Sequence, residues 1–589
     1  MPSSPPLAFA LCVLPGESNT GAHGVSLGCT LRPRAVLLGA VLAISARALL
    51  TALCLWGASS LVAAEPATQP CRLPGVRVEV RCGSVQRALE PARPDGPRIE
   101  VHFAVVPALS RQPLPDPVFF LAGGPGQSAI ALAPTALAML ERLRARRDVV
   151  LVDQRGTGRS APLLCPDHAS AHTFAAWDVA AQRQSMAACR QALQKLAFIA
   201  EPTDLAFFTT PLAMQDLDAV RQRLGADQIN VVGVSYGTRA ALDYQRQFGA
   251  HVRRSVLDGV APPDMALPAS AALDSQRALD ALWADCAAEP ACKQAFPSLR
   301  SDWQKLLQSL PRRVTVADPL SGQPQATMLS RAALLGLVRS ALYVPTLASA
   351  LPQAVHDAAR GRLEGLAGLG SALQSPGASP MAMGMHLSVL CAEDMPLLTA
   401  PARPIERNGN VARGVAPHSE QAHRPDFGDE ALHWYRSLCA DWPATPVPAD
   451  YYRIAPAPQP VLLLSGGLDP ATPPRHAARA AQALGAKALH VVAPKAGHGL
   501  LSTACGQDML YRFIAAPDEA GALAIDTRCA QQLPRPLFYR SPAPTPTPGL
   551  SGNSVIKLGA NTAYAPNTVP AETAHAVATQ IAAPRKAQP

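Results

Sequence analysis

Residues 229–240 read INVVGVSYGTRA. The apolar run 229–233 predicts a buried strand, and residues 239–248 predict a helix after it. Between them, GVSYG is a G-x-S-x-G sequence at a sharp strand-to-helix turn. Such a turn strains the backbone of its serine and lifts the Oγ into the open, and larger flanking residues would collide there. We therefore predict Ser235 as a nucleophile; a chance Gly-Ser-Gly turn is the alternative.

Five further apolar runs of strand length lie along the chain, with helical stretches such as 212–225 between them. They are PVFFL (117–121), DVVLV (148–152), SVLD (255–258), VLLLS (461–465) and LHVVA (489–493). Short apolar strands that alternate with helices are typical of a parallel sheet in an α/β domain. We therefore predict the α/β fold class, with six core strands in a mostly parallel central sheet.

Counted along the chain with 229–233 as the third strand, a long segment of different character separates the fourth strand (255–258) from the fifth (461–465). It contains helical stretches and no apolar run of the earlier kind, at 270–285, 302–310, 330–342 and 351–366. We predict a large, mainly helical cap inserted between two parts of the core. The predicted leader, first core part, cap, second core part and proline-rich disordered tail span 1–64, 65–261, 262–450, 451–540 and 541–589.

A serine hydroxyl needs a base, and a polar residue follows each of the last two strands. Asp469 follows the fifth strand in the sequence GGLDP, and His498 follows the sixth in KAGHG. Both lie at C-terminal strand ends, where an α/β sheet places its site. We predict that His498 takes the proton of Ser235 and that Asp469 fixes the imidazole tautomer. Asp153 and Asp258 are rival acids, and a structural hydrogen bond is the alternative role of His498.

A glycine-rich loop, AGGPG at 122–126, follows the first strand. A reacting carbonyl needs two backbone N–H groups directed at its developing negative charge. We predict that one comes from Tyr236, directly after the nucleophile, and the other from Gly124, with Gly123 as second choice. A plain glycine turn is the alternative reading of this loop.

A second glycine-rich loop, DQRGTGRS at 153–160, follows the second strand. It lacks the Lys-Ser/Thr ending of a phosphate-binding P-loop. We therefore predict a scaffold that orients the neighbouring loops through Asp153 and Arg155, with phosphate binding as the alternative.

Cysteine usage indicates an oxidising compartment. Of 13 cysteines, three fall in the first 64 residues, and the remaining ten are an even set that suggests disulfides. Spacing alone does not fix the connectivity, and the simplest prediction pairs neighbours in sequence. These pairs are Cys71 with Cys82, Cys165 with Cys189, Cys286 with Cys292, Cys391 with Cys439, and Cys505 with Cys529. The sequence contains no C-x₂-C or Cys-His cluster of zinc type, so we predict no metal site.

The N-terminal region has the pattern of a secretory signal. Residues 48–64 read ALLTALCLWGASSLVAA and follow Arg32, Arg34 and Arg47. A basic region, an apolar region and small final residues predict cleavage after Ala64 and a periplasmic or secreted product, without stable membrane insertion after cleavage. The alternative is a retained membrane-spanning helix, for which this run is short.

Composition excludes two broad classes. A hydrophobic content of 48% excludes a wholly disordered chain. The net charge of +9 includes +2 in residues 1–64 and +2 in residues 541–589, which leaves +5 for the middle of the chain. Because the chain also lacks a Lys/Arg run and a basic-aromatic stripe, we predict no nucleic-acid partner.

Six motifs together resemble the tripeptidyl aminopeptidase and prolyl aminopeptidase branch of the α/β-hydrolases. They are AGGPG, DQRGTGRS, GVSYGT, DGVAPP, GGLDPATPP and AGHG, and the resemblance covers roughly residues 70–535. It implies a core with a helical cap, cleavage at a free peptide N-terminus, a triad of Ser235, Asp469 and His498, and Gly124 and Tyr236 as oxyanion donors. The prolyl aminopeptidases usually begin the oxyanion loop with His-Gly-Gly, whereas this chain has Ala122 in the histidine place.

An enzyme that acts on a free N-terminus must bind an α-ammonium group, and such a cation needs a carboxylate. The sequence CAED at 391–394 in the predicted cap offers Glu393 and Asp394; a solvated acidic loop is the alternative.

The sequence thus predicts a secreted or periplasmic serine aminopeptidase that removes one to three residues from short peptides and needs no cofactor. The first alternative is a carboxylic ester hydrolase, since a triad does not separate amide from ester cleavage. The second is an inactive binding protein of the same fold. Nothing in the sequence indicates an oligomeric state.

Overall fold

The structure is a computed structural model of the chain. It describes residues 67–166, 179–319, 322–372, 380–399, 405–407, 410–412 and 426–541. The predicted leader at 1–64, and all but the first residue of the predicted tail at 541–589, lie outside the described residues.

The strands of the described part are named in chain order. They are β1 (Gln69–Cys71), β2 (Val80–Ala88), β3 (Arg98–Val106), β4 (Val118–Leu121), β5 (Val149–Val152), β6 (Ile229–Val234), β7 (Val252–Asp258), β8 (Arg312–Ala317), β9 (Pro324–Leu329), β10 (Ile405–Arg407), β11 (Asn410–Ala412), β12 (Val461–Gly466) and β13 (Ala488–Ala493).

Nine of these strands form one sheet, in the order β1-β2-β3-β5-β4-β6-β7-β12-β13. The neighbours from β5 to β13 pair in parallel. The pairs β1-β2, β2-β3 and β3-β5 are antiparallel. Parallel sheets are covered on both faces, and β4, β5 and β12 are buried along their whole length. The predicted α/β class with a mostly parallel central sheet is confirmed.

The α-helices of the described part are also named in chain order. They are α1 (Ala133–Arg144), α2 (Val179–Leu193), α3 (Thr210–Arg223), α4 (Tyr236–Phe248), α5 (Leu267–Ala288), α6 (Pro290–Ala295), α7 (Leu299–Gln308), α8 (Arg331–Leu342), α9 (Pro345–Ala348), α10 (Leu351–Ala358), α11 (Glu364–Ser371), α12 (Met383–Val389), α13 (Met395–Thr399), α14 (Glu430–Cys439), α15 (Pro474–Leu484), α16 (Ala504–Ala515), α17 (Glu519–Leu523) and α18 (Cys529–Gln532). A π-helical turn, Leu390–Asp394, joins α12 to α13.

Helices cover both faces of the sheet. Side chains of α3, α4 and α15 pack on one face, and those of α1 and α16 pack on the other. Successive residues of β12 point to opposite faces, with Leu463 in the first layer and Leu462 and Leu464 in the second. This two-sided burial explains why the core strands read as continuous apolar runs rather than as alternating patterns.

The segment between β7 and β12 holds α5 to α14 and has an apolar core of its own around Trp283, Trp303 and Leu334. Besides its helices, this mainly helical segment contains two short strand pairs that the sequence analysis did not find, since β8 pairs with β9 and β10 pairs with β11. In β8 only Val314 and Val316 are buried, so its polar alternate residues hide it from a search for apolar runs. The domain bounds stay a prediction.

Two smaller corrections concern element ends. The predicted helix 351–366 is two helices, α10 and α11, and Gly361 between them has φ +91°, a left-handed conformation that ends a helix. The sequence RVEV at 77–80 alternates in the manner of a strand and predicts one there, whereas β2 begins at Val80 and continues to Ala88. Its polar residues suit a strand near the edge of the sheet.

Five disulfides join the ten cysteines in the predicted neighbour pairing. Because disulfides persist in oxidising surroundings, the five bonds indicate a protein that lies outside the cytoplasm. Over the residues that the structure describes, no helix is both long and apolar enough to cross a membrane.

Candidate active site

The turn between β6 and α4 holds Ser235 in an unusual backbone conformation. Its φ is +56° and its ψ is −124°, a region that non-glycine residues rarely adopt. A Cβ at Gly233 would stand 2.3 Å from the Gly237 carbonyl oxygen, and one at Gly237 would stand 2.2 Å from the Leu121 carbonyl oxygen. Both flanking positions therefore require glycine, and the strained turn is the geometry expected for an exposed nucleophile.

The end of β7 lies between Ser235 and His498. The Ser235 N–H donates to the Asp258 carbonyl oxygen at 2.8 Å. A Cβ at the next residue, Gly259, would stand 3.1 Å from His498 Cε1, so the imidazole packs directly on this backbone. The structure thus brings the serine turn and the histidine loop to the same edge of the sheet.

Asp469 and His498 form a hydrogen-bonded pair, with 2.8 Å between Asp469 Oδ2 and His498 Nδ1. Burial lowers the pKa of His498, but the charge and hydrogen bond of Asp469 outweigh it and hold this pKa above its ordinary value. Burial would raise the pKa of Asp469, but His498 and the backbone N–H groups of Thr472 and Ala471 lower it. Asp469 therefore stays ionised and supports a charged imidazolium.

Thr472 is a further member of this group that the sequence analysis missed. Its Oγ1 donates to Asp469 Oδ2 at 2.7 Å and lies 3.1 Å from His498 Nδ1. The backbone N–H groups of Ala471 and Thr472 donate to Asp469 Oδ1 at 2.8 and 2.9 Å. An aspartate that caps the residues two and three positions ahead is a local turn pattern. The sequence Asp-Pro-Ala-Thr could have indicated it.

The two rival acids are engaged elsewhere. Asp258 accepts the backbone N–H groups of Leu500 and Leu501, each at 2.8 Å, and so holds the chain just after His498. Burial raises the pKa of Asp258 to about 6, and these two hydrogen bonds oppose the rise. Asp153 accepts the Ser128 hydroxyl at 2.6 Å. Asp469 is the carboxylate that contacts the imidazole.

The loop predicted to supply an oxyanion donor lies against the nucleophile. A Cβ at Gly123 would be 3.2 Å from the Ser235 Cβ, and one at Gly124, where φ is +113°, would be 2.6 Å from the Gly126 nitrogen. Tyr236 is the first residue of α4, so its N–H has no partner within the helix. The loop at Gly123 and the start of α4 therefore both adjoin Ser235, and Gly124 and Tyr236 as oxyanion donors stay a prediction.

Two cap residues, Ala382 and His386, contact the glycine-rich loop at 122–126. The Ala382 N–H donates to the Gly126 carbonyl oxygen at 2.9 Å. The His386 Nδ1 lies 3.1 Å from the Pro125 carbonyl oxygen, and its Nε2 lies 2.9 Å from the Tyr435 hydroxyl. Neither contact was predicted, because it depends on a cap helix folding back onto a loop more than 250 residues earlier in the chain.

Tyr343, which directly follows α8, holds the histidine loop. Its carbonyl oxygen accepts the His498 N–H at 3.1 Å, and its ring meets the imidazole edge-on at 5.0 Å. The cap therefore contacts both the histidine loop and the oxyanion loop.

Glu393 and Asp394, the predicted amine anchors, lie fully buried in the π-helical turn. Arg239 donates to both oxygens of Asp394 at 3.1 Å. Glu393 accepts the Thr210 N–H at 2.7 Å and the Tyr451 hydroxyl. Burial raises the pKa of Glu393 to about 7, although Arg239 and Tyr451 oppose this. The structure gives both carboxylates internal partners, and amine binding by them stays a prediction.

The second glycine-rich loop is held by internal contacts. Arg155 is buried and donates to both oxygens of Asp216 at 2.7 and 2.9 Å and to two backbone carbonyl oxygens. A Cβ at Gly158, where φ is +53°, would overlap Asp153 Oδ2 at 1.8 Å. These contacts support a scaffold for the neighbouring loops. In the described residues, His, Cys, Asp and Glu side chains form no group of three suited to a metal ion.

A family model described as the alpha/beta hydrolase fold matches residues 116–504. The chain belongs to the α/β-hydrolase family. This α/β-hydrolase is 28% identical to the serine protease Hip1 of Mycobacterium tuberculosis over 431 residues, which cover 69% of the chain and 80% of the relative. It is 27% identical to a tripeptidyl aminopeptidase of Streptomyces coelicolor over 493 residues, which cover 78% and 84%.

This α/β-hydrolase is also 31% identical to a protein named carboxylesterase B of Mycobacterium tuberculosis over 433 residues, which cover 69% of the chain and 78% of the relative. The matched family segment runs from just before β4 to the start of α16 and so contains Ser235, Asp469 and His498. The family and the site geometry together identify a serine hydrolase of the α/β fold.

Proposed function

We propose that this serine hydrolase is an aminopeptidase that releases one to three residues from the free N-termini of short peptides. The observation that carries the proposal is the hydrogen-bonded Asp469–His498 pair beside the strained Ser235 turn. It is supported by the likeness to a tripeptidyl aminopeptidase over 84% of that relative's length.

In the proposed first step, Ser235 Oγ attacks the scissile carbonyl carbon and His498 takes the hydroxyl proton. Asp469 keeps Nδ1 as the protonated nitrogen, which leaves Nε2 free to act as the base. The N–H groups of Gly124 and Tyr236 stabilise the negative charge on the carbonyl oxygen. The C–N bond then breaks, and His498 gives its proton to the leaving amine.

In the second step, water replaces the released amine and attacks the acyl carbon. His498 takes a proton from that water and returns it to Ser235 Oγ as the ester bond breaks. The products are a free N-terminal unit and a shortened peptide. The reaction is a hydrolysis that draws only on side chains, backbone N–H groups and water.

The proposal is tested with aminoacyl, dipeptidyl and tripeptidyl fluorogenic amides, each with a free and an acetylated N-terminus, and with a short ester. We expect cleavage of at least one free amide, with the acetylated version reduced at least tenfold in kcat/KM. Equal cleavage of the free and acetylated amides would overturn the aminopeptidase assignment.

A carboxylic ester hydrolase is the second candidate, and the likeness to carboxylesterase B favours it. A serine hydrolase site cleaves esters as well as amides, and the difference lies in the pocket. Efficient hydrolysis of the short ester without cleavage of any amide would establish this second candidate in place of the first.

An inactive protein of the same fold is separated from both by covalent labelling. We expect a fluorophosphonate probe to label the folded wild-type protein and to leave Ser235→Ala unlabelled. The absence of labelling in a wild-type protein that shows cooperative unfolding would favour the inactive alternative.

We also propose that residues 1–64 are a secretory signal cleaved after Ala64, which would deliver the enzyme to the periplasm or the medium. The five disulfides support an oxidising location. N-terminal sequencing of the exported protein should begin at Glu65, and an intact Met1 would contradict the cleavage.

A further inference from the structure

A cavity of about 520 Å³ lies between the cap helices α8 and α14. This cap cavity has the size of a small-ligand site. Apolar side chains make up most of its wall, including Leu335, Phe427 and Trp434. Its charged lining residues are Arg339 on α8, Arg183 on α2 and Glu430 on α14. Such a wall suits organic side chains with one anionic group among them.

Two short chains of contacts connect the cap cavity to the reacting groups. Tyr435 lines the cavity and reaches the Pro125 carbonyl oxygen of the oxyanion loop through His386. Arg339 stands 5.5 Å from the Tyr343 ring centre, and that ring is 5.0 Å from the imidazole of His498. One intervening residue separates the cavity from each half of the site.

The guanidinium group of Arg339 lacks some of the partners that it could bind. Its Nε is buried and makes no hydrogen bond in the structure. Within the described ranges, no carboxylate lies within 4.0 Å of its nitrogens, and the side chain is only partly buried, which leaves part of it open to the cavity. Glu430 also lines the cavity, but it lies 3.5 Å from Arg331 instead.

The charge of Arg339 affects the pKa values of two histidines at the site. Burial, and to a smaller extent the Arg339 charge, lowers the pKa of His386. The same charge opposes the rise in the pKa of His498 that Asp469 causes. A cation near a catalytic imidazole disfavours the imidazolium, and a carboxylate bound to Arg339 would offset this effect.

We propose that the cap cavity receives the leaving-group side of the substrate and that Arg339 pairs with a carboxylate there. His498 protonates the leaving amine, and only the Tyr343 ring separates His498 from Arg339. We therefore place Arg339 on the leaving-group side of the scissile bond. The guanidinium carbon is no further from the imidazole than the two distances combined, and about three residues of extended chain span such a gap. The carboxylate is therefore the C-terminus of a leaving group of one to three residues, or an acidic side chain within it.

This inference rests on the proposed peptidase function and narrows its substrates to short peptides with an anionic leaving group. Arginine suits the task because its planar guanidinium binds a carboxylate through two parallel hydrogen bonds. The apolar wall would receive the side chains of the same residues. Longer peptides, whose C-terminal carboxylate lies beyond reach, would then depend on an acidic side chain near the cleaved bond.

The test compares peptides that differ only in the leaving group. The acyl unit preferred in the fluorogenic panel is joined to alanine with a free carboxylate, to alaninamide, to aspartic acid amide and to asparagine amide. Product release by chromatography gives kcat/KM for each. We expect each carboxylate-bearing substrate to exceed its neutral partner by about tenfold or more, since hydrogen bonds to charged groups are strong. The alanine pair reports the C-terminus, and the aspartate pair reports a side chain.

Arg339→Gln should abolish this preference, so that the ratio of kcat/KM between each carboxylate substrate and its neutral partner falls to about one. Arg339→Lys keeps a charge without the planar fork and should retain part of the preference. Arg300→Gln removes an exposed cap arginine, 66% accessible, and should leave every ratio unchanged. If wild type shows no preference for either carboxylate, or if Arg339→Gln lowers all four rates alike, the inference is wrong.

Failure of the peptidase proposal is recognised separately. If no peptide is cleaved but the short ester is, the same comparison uses two esters whose alcohol part carries either a carboxylate or its amide. A wild-type preference for the carboxylate ester that is lost in Arg339→Gln would support the Arg339 assignment without the peptidase function. Equal rates on both esters would overturn it.

Discussion

Asp469 is held in one orientation before any substrate arrives. Its two oxygens receive the Ala471 and Thr472 N–H groups, the Thr472 hydroxyl and His498. A carboxylate with this many donors pays little reorganisation energy when the imidazole becomes charged. The acid of the proposed triad therefore acts as one unit with the turn that follows it.

The contribution of the Thr472 hydroxyl to the orientation of Asp469 can be tested by a single substitution. Thr472→Val preserves the shape but removes the donor to Asp469, so the aspartate and with it the imidazole should lose their fixed orientation. We expect kcat on the short ester to fall by roughly tenfold, equivalent to about 1.4 kcal/mol, with KM nearly unchanged. Steady-state kinetics measures both constants. Thr503→Val, at the start of α16, is the matched control, and a fall of similar size there would contradict the assignment.

The raised pKa of His498 sets the pH dependence of the proposed reaction. The base must be neutral to accept a proton, so kcat/KM should fall as the pH drops through the His498 pKa, with its midpoint above 6.5. For stability the sign is opposite: the raised pKa stabilises the fold below about pH 6.5 and this contribution is lost as the pH rises through the folded-state pKa. A pH–rate profile on a neutral ester measures the midpoint. A midpoint at or below 6.5 would contradict the geometry.

At the scale of elements, the π-helical turn Leu390–Asp394 joins the cap to the helix that follows the nucleophile. Arg239 lies on α4, four residues after Ser235, and it is fully buried between Asp394 and Glu393. The Leu267 N–H at the start of α5 also donates to Asp394, at 2.9 Å. The turn therefore connects the first cap helix, α5, and the later cap helices α12 and α13 with the nucleophile helix.

Asp394→Asn should be strongly destabilising, because it leaves the Arg239 cation buried without its main partner. We expect a loss of about 3–5 kcal/mol in the free energy of unfolding, measured by urea denaturation. Glu393→Gln removes no partner of Arg239 as close as Asp394 and keeps one acceptor oxygen for its neighbours, so it should cost less, about 1–2 kcal/mol. If Glu393→Gln instead spares stability and selectively reduces cleavage of free peptides relative to the ester, Glu393 is the amine anchor that the sequence suggested.

Elements that are buried on both faces were predictable, and those that share their surface with water were not. The segments 118–121, 149–152 and 461–464 are apolar throughout, so each marks a core strand without further information. The alternating strands β8 and β9 expose every second residue, and their pattern is lost among helices. Strand β2 is longer than predicted for the same reason.

At the scale of the whole molecule, local sequence pointed to the pieces of the site but not to how the cap completes it. Ser235, Asp469 and His498 each follow an apolar strand, so the sheet alone brings their loops to one edge. By contrast, the contacts of His386 with Pro125 and of Tyr343 with His498 join distant segments through folded helices. The sequence also did not predict that Arg239 is buried, because its carboxylate partner Asp394 lies 155 residues later in the chain.

The five disulfides close loops of very different lengths, and this difference predicts unequal contributions to stability. Cys391 and Cys439 are 48 residues apart and tie the π-helical turn to α14 on the wall of the cap cavity, whereas Cys286 and Cys292 are only 6 apart. A cross-link lowers the entropy of the unfolded chain more when its loop is longer, by about 4 kcal/mol for the first loop and about 2 kcal/mol for the second. The double variant Cys391→Ser/Cys439→Ser should therefore unfold at a clearly lower urea concentration than Cys286→Ser/Cys292→Ser. It should also lose activity before global unfolding, because α14 carries the cavity wall. Equal urea midpoints for the two double variants would show that native-state contacts, rather than loop length, decide the contribution of these bonds.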